Sequence, residues 1–146
     1  MNKLRMIGNP DERHIVLADP WDSQHAVIET REFAAGAGFS KTDQVMISTA
    51  AAELSTNILR YAGTGELFLR IVRNMDRVGI EILAVDKGPG INNVKKALED
   101  CYTTTKGSLG LGLPSVRRIM DEFEIESSPE EGTRITARKW RMHGKR

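Results

Sequence analysis

Two alternating runs joined by a short polar stretch constrain this chain most. Leu67, Leu69 and Ile71 alternate with Phe68, Arg70 and Val72, and Val78, Ile80, Ile82 and Ala84 then lead to Asp86. A period of two places each apolar set on one face of a strand. Asn74 to Arg77 is short and polar enough to join the two as an antiparallel hairpin. Ahead of the hairpin, a helix is predicted from near Ser40, with Asp43 in its first turn, to Tyr61. Along it Ile47, Ala51, Leu54, Ile58 and Tyr61 recur at 3.6-residue spacing as one buried stripe, and Gly63-Thr64-Gly65 stops it. Arg13 to Ala18 reads as a first strand. Asp22 or Ser23 is positioned to cap a helix reaching about Ala37, ended by Gly36 and Gly38. Beyond Asp86 come a Gly/Pro turn at Lys87–Gly90, a short helix around Asn93–Leu98, and a Thr- and Gly-rich segment from Tyr102 to Gly112. A helix from about Leu113 to Phe123 follows, then strands at Glu124–Ser127 and Thr133–Trp140 around a Pro129–Gly132 turn. The expected class is α+β, with helices over one face of a mostly antiparallel sheet.

Composition narrows the function classes. The 146 residues fit a single domain, 1–146, with 1–12 and 141–146 as flexible ends. The balance of 21 Lys+Arg against 20 Asp+Glu, a net charge of +1, argues against a nucleic-acid partner bound through general basicity. Lys139, Arg141, Lys145 and Arg146 read as a solvated basic tail. A single cysteine, Cys101, excludes an internal disulfide framework and a Cys-rich zinc site. Beside the glycine-rich segment it reads as a small filler. No apolar run approaches a membrane span and Met1 to Pro10 lacks a signal-peptide apolar segment, so a soluble cytoplasmic protein with no membrane partner is expected. Met46, Met75 and Met120 suit a core, and Trp21 and Trp140 suit packing or partner contacts.

Neither G-x-x-x-x-G-K-[ST] nor G-x-G-x-x-G is present. Three other clusters carry the chemistry. On the long helix, Glu53 and Asn57 stand at i and i+4 with Arg60 at i+7, a polar line at the rim of the buried stripe. Taken alone it reads first as an exposed face with a Glu–Arg contact. The same line also suits a hydroxyl-activating carboxylate beside an oxygen ligand for Mg²⁺. The second cluster, Asp86-Lys87-Gly88-Pro89-Gly90-Ile91, is equally a plain turn or a place where the backbone approaches a ligand and an acceptor-only carboxylate takes an exocyclic amine. The third, Thr103 to Leu113, sets three glycines and several hydroxyls before a helix, an arrangement that favours phosphate over a mere connector.

In this order the clusters resemble the N, G1 and G2 boxes of the GHKL ATPase/kinase superfamily. The short chain is similar to the serine/threonine kinases of bacterial partner-switching systems, and within them to the RsbT-type switch kinases of the anti-sigma regulatory factor family. Gly112 to Phe123, and Glu131-Gly132-Thr133 through Lys139-Trp140, add to the likeness, which runs from about Ile28 to Trp140. The resemblance implies a Bergerat fold, a two-layer α/β sandwich with ATP between helices and sheet under a lid. It implies Asn57 as ligand to Mg²⁺, Glu53 as the group polarising the attacking hydroxyl, and Asp86 on the adenine amino group, with Gly88 and Gly90 admitting the backbone. Gly107, Gly110 and Gly112 would close over the phosphates, Arg60 and Lys106 would touch them, and Thr133 would reach adenine through water. Ile91, Thr105, Ser108, Leu109, Leu111 and Leu113 complete the implied nucleotide-binding set. The implied activity is ATP-dependent phosphorylation of a STAS-domain antagonist protein, with the released kinase activating a PP2C-type phosphatase. Two alternatives are an anti-sigma factor kinase that holds a sigma subunit directly and a nucleotide-gated binding module without transfer. Glu53 speaks against the second, since a pure binder needs no base beside the metal.

Overall fold

A computed structural model of the chain describes residues 10–91 and 112–141. In chain order these form β1 (Glu12–Leu17), α1 (Asp22–Gly36), α2 (Lys41–Tyr61), β2 (Gly65–Asn74), β3 (Arg77–Asp86), α3 (Leu113–Ile119), β4 (Glu122–Ser128) and β5 (Gly132–Trp140). The five strands pair in the order β1-β2-β3-β5-β4, every pair antiparallel. The helices cover one face. The expected α+β sandwich is what forms.

Strand alternation assigns the two faces. Ile15, Leu17, Leu67, Leu69, Ile80, Ile82, Ala84, Ile135 and Ala137 point inward and are buried. Against them α1 brings Ala26, Phe33 and Ala34, α2 brings Ile47, Ala51, Leu54 and Ile58, and α3 brings Leu113 and Val116. The 21-residue α2 starts where Ser40 accepts the Asp43 N–H at 3.1 Å, satisfying one orphan donor of the first turn. Its stripe is buried as expected up to Ile58. Tyr61, however, is exposed, because the helix ends there and the chain turns toward β2.

The other face carries no helix among the described residues, and a line of charge fills its middle. Glu12, Arg70, Glu81, Arg138 and Glu122 are successive cross-strand partners. Glu81 is only 5% exposed. Arg70 Nε and Arg138 Nε donate to its two oxygens at 2.7 and 2.8 Å, and Arg138 also reaches Glu122 at 2.8 Å. Burial pushes the Glu81 carboxyl up, but the hydrogen bonds and charges of the two arginines outweigh it and hold the carboxyl below its usual range.

Several local expectations need correction. Neither Asp22 nor Ser23 caps α1. The preceding residue is Trp21, and Asp22 instead accepts the N–H groups of Ala18 and Asp19 at 2.8 and 3.0 Å, bracing the turn before the helix. The helix after Gly112 stops at Ile119 and Phe123 lies in β4. Asp121 N–H donates to the Arg138 carbonyl at 2.8 Å, and Asp121 Oδ2 accepts the Trp140 N–H at 2.8 Å, so sheet pairing captures this segment. Met75 is 92% exposed at a positive φ of 59° in the β2–β3 turn, and Met46 is half-buried, so of the three methionines only Met120 sits in the core. Two members of the basic tail are anchored: Lys139 donates to the Ile119 carbonyl at 2.7 Å and Arg141 to that of Ala37 at 2.9 Å. The expected helix at Asn93–Leu98, Cys101, and the outermost residues of the expected ends lie outside the described residues.

Leu54 is 1% exposed under the whole sandwich. Leu54→Ala is expected to cost about 2–5 kcal/mol, through lost transfer energy plus a cavity, read as a lower denaturant midpoint with unchanged slope.

Candidate functional site

The site begins with α2. Leu54 and Ile58 anchor the helix on the sheet, which leaves Glu53 and Asn57 half-buried at the rim and Arg60 exposed beyond them. Two glycines join this helix to the end of β3. A side chain on Gly65 would overlap Ile58 Cγ2 and come within 3.2 Å of Asp86 Cβ, and one on Gly88 would overlap Ala62. Asp86 is thereby held beside the last turns of the helix that carries Glu53 and Asn57. Arg60 lies with its guanidinium 5.8 Å from the centre of the Tyr61 ring.

Across the sheet, Gly65, Asp86, Thr133 and Ser127 are successive partners on β2, β3, β5 and β4. Their shared register puts them on the helix side. Asp86 Oδ1 accepts the Gly88 N–H at 2.8 Å, and among the described residues its other oxygen has no donor. Thr133 is nearly buried. The turn after Asp86 is held from the β4–β5 side: a Cβ on Gly90 would meet the Ser128 carbonyl oxygen at 2.6 Å, and Ser127 Oγ accepts the Ile91 N–H at 2.7 Å.

Glu53 faces the start of α3. Gly112 adopts a φ of 71°, and a Cβ there would overlap the Glu53 carboxylate. Burial pushes the Glu53 carboxyl above its usual range, and the positive charge of Arg60 offsets this only in part. A half-desolvated carboxylate of raised basicity suits an acceptor for a hydroxyl proton. Among the described residues no three His, Cys, Asp or Glu side chains cluster to hold a metal. A cation here would rest on Asn57, water and the ligand's own oxygens, a donor set that fits Mg²⁺.

The structure therefore brings Glu53, Asn57 and Arg60 together with Asp86, Gly88, Gly90, Ile91, Gly112 and Thr133. Leu113 is fully buried and packs in the core. Thr105, Lys106, Gly107, Ser108, Leu109, Gly110 and Leu111 lie outside the described residues. Sequence reasoning missed Gly65, Gly132 and Ser127. Each is defined by strand register, and only the turn composition around Pro129–Gly132 hinted at the last two.

A second concavity, about 670 Å³, lies on the opposite face of the sheet, with His14, Phe68, Leu83 and Arg134 in its lining. Its floor is the Arg70–Glu81–Arg138 line, whose charges are already satisfied by one another, so it offers none of the chemistry found around Asp86.

The family model for the histidine kinase-like ATPase domain matches residues 17–139. The chain belongs to that family. The serine/threonine-protein kinase RsbT of Bacillus subtilis (strain 168) is 42% identical over 130 residues, 89% of this chain and 97% of the relative. That kinship places the chain among the serine/threonine-protein kinases of the family. The anti-sigma F factor of Caldanaerobacter subterraneus subsp. tengcongensis is 31% identical over 99 residues, 64% of this chain and 68% of that protein. A chain of the SiaB–SiaC complex from Pseudomonas aeruginosa shares the fold, with a TM-score of 0.52 at 11% identity over 88% of both chains. The family match begins at residue 17, ahead of Ile28, so the whole of α1 is part of the shared domain.

Because burial raises the Glu53 carboxyl, its ionised form costs the folded state stability at neutral pH, a cost that disappears as pH falls through the raised value and the group protonates. Without ligand, Glu53→Gln is expected to unfold at a higher temperature than the wild type at pH 7, with the gap closing toward acid pH in a thermal melt series.

Proposed function

We propose that the chain is an ATP-dependent protein kinase that transfers the γ-phosphoryl group to a Ser or Thr of a STAS-domain antagonist, and that it acts as a partner switch. The observation that carries the reading is the joining of the Glu53–Asn57 line to Asp86 through the close contacts of Gly65 and Gly88 with α2. In this reading Asp86, with one oxygen committed to Gly88, accepts the exocyclic amine of adenine through the other, and Thr133 supports the ring from the next strand. Asn57 would hold Mg²⁺, which supplies neutralisation of phosphate charge when bound. Arg60, Lys106 and the glycines from Gly107 to Gly112 would contact the phosphates.

Phosphoryl transfer demands in-line placement and charge stabilisation more than covalent chemistry from the protein. Glu53 accepts the proton as the Ser or Thr oxygen bonds to phosphorus, and ADP departs. The product carries nearly two extra negative charges, which break a complementary interface by repulsion and desolvation. The kinase so released would be free to engage a second partner, a PP2C-type phosphatase. Support for this biology comes from RsbT, a serine/threonine-protein kinase that aligns over nearly the whole chain.

The test is transfer of labelled γ-phosphate to STAS-domain proteins with Mg²⁺. Wild type is expected to label Ser or Thr. Glu53→Ala is expected to reduce transfer at least a hundredfold while retaining ATP binding, in line with the usual weight of a general base. Asp86→Asn is expected to lose ATP binding itself. ATP binding with no labelling of any STAS protein would contradict the proposal.

A further inference from the structure

Ser127 has no part in the motifs above, yet it connects two elements that meet at the site. Its Oγ accepts the Ile91 N–H at 2.7 Å and lies 2.7 Å from Thr133 Oγ1. An N–H can only donate, so the direction of the first bond is settled. A hydroxyl carries one proton and two lone pairs, so either oxygen can donate in the Ser127–Thr133 bond. Accepting the Ile91 N–H polarises the Ser127 O–H and favours Ser127 as the donor, because bonds in such a chain strengthen one another in a common sense. With Ser127 as donor, the Thr133 proton points away from Ser127, and the next strand partner on that side of Thr133 is Asp86. Gly90, pressed on the Ser128 carbonyl, keeps the Ile91 N–H in place.

We propose that Ser127 is a positioning residue for purine selectivity: by donating to Thr133 it fixes that hydroxyl as a donor beside the acceptor Asp86. An acceptor followed by a donor matches the edge of a 6-aminopurine, whose amino group donates and whose N1 accepts. A 6-oxopurine presents the reverse order, with O6 facing the carboxylate. A bridging water between Thr133 and the base passes on the same sense. Sites that hydrogen-bond a ligand reject the mismatched analogue strongly because buried groups are left unpaired. Without the Ser127 proton, Thr133 turns freely and presents either a proton or a lone pair, and the order is lost. This inference rests on the nucleotide-binding reading and adds to it the residue that orients the base-side donor.

The experiment is calorimetric titration of the full chain with Mg·ATP and with Mg·GTP, alongside thermal melts without nucleotide. Ser127→Ala is expected to lower the ATP-over-GTP preference about tenfold, the worth of one oriented hydrogen bond, chiefly through weaker ATP binding. Ser127→Thr keeps a hydroxyl and is expected to retain the wild-type preference. Should Ser127→Ala fail to fold, Ser127→Cys fills the same space with a poor donor and carries the same expectation. Equal weakening of both nucleotides, with the ratio unchanged, would mean a packing role and overturn the inference alone. A wild type that binds neither nucleotide would overturn it together with the reading on which it rests.

Discussion

The end of β3 is locked between two neighbours that have no side chain to place there. Gly65 on β2 lies opposite Asp86, where a Cβ would strike the Val85 carbonyl oxygen and Ile58. On the other side Gly132, with a φ of 83°, brings its Cα so near the Asp86 carbonyl oxygen that any Cβ would overlap it. These two close approaches let three strands and α2 converge on one carboxylate. Everything proposed for the site follows from that convergence: an acceptor at a strand end, a helix rim with a second carboxylate and an amide, and a hydroxyl row running out to β4.

The two faces of the sheet divide the work. The inner face is apolar until its rim, where Asp86, Thr133 and Ser127 interrupt it opposite Glu53 and Asn57 on α2. On the outer face, Glu81 is buried against two arginines, and the paired charges leave a surface that is held together rather than reactive. A buried ion pair of this kind is poor evidence for stability gain, since desolvation opposes the attraction. Its more evident effect is on register, because Arg70, Glu81 and Arg138 meet only when β2, β3 and β5 pair as they do.

Much of this was legible in the chain. The alternating runs around Asn74–Arg77 gave the hairpin, and the 3.6-residue stripe gave α2, because periodicity reports directly on which face is buried. The order Glu53–Asn57, Asp86–Gly90, Gly112 marked the site through a family resemblance that its separate parts did not compel. Less visible was what depends on partners distant in sequence. Phe123 continued a helical pattern, but Asp121 and Trp140 pull it into β4. Met75 looked like core and is exposed, because the tight β2–β3 turn places it outward. Ser127 looked like an ordinary strand serine until register set it beside Thr133 and the Ile91 N–H.

Kinship with RsbT and with anti-sigma F factors sets the class of the chain, while the row at the strand ends is what would make it an ATP site. The most direct measurement is a crystal structure with a non-hydrolysable ATP analogue and Mg²⁺. The expected result places the adenine amino group on the Asp86 carboxylate and the metal on the Asn57 side-chain oxygen, at about 2.1 Å. A nucleotide seated instead on the outer face of the sheet, among His14, Phe68 and Arg134, or a metal away from Asn57, would contradict it.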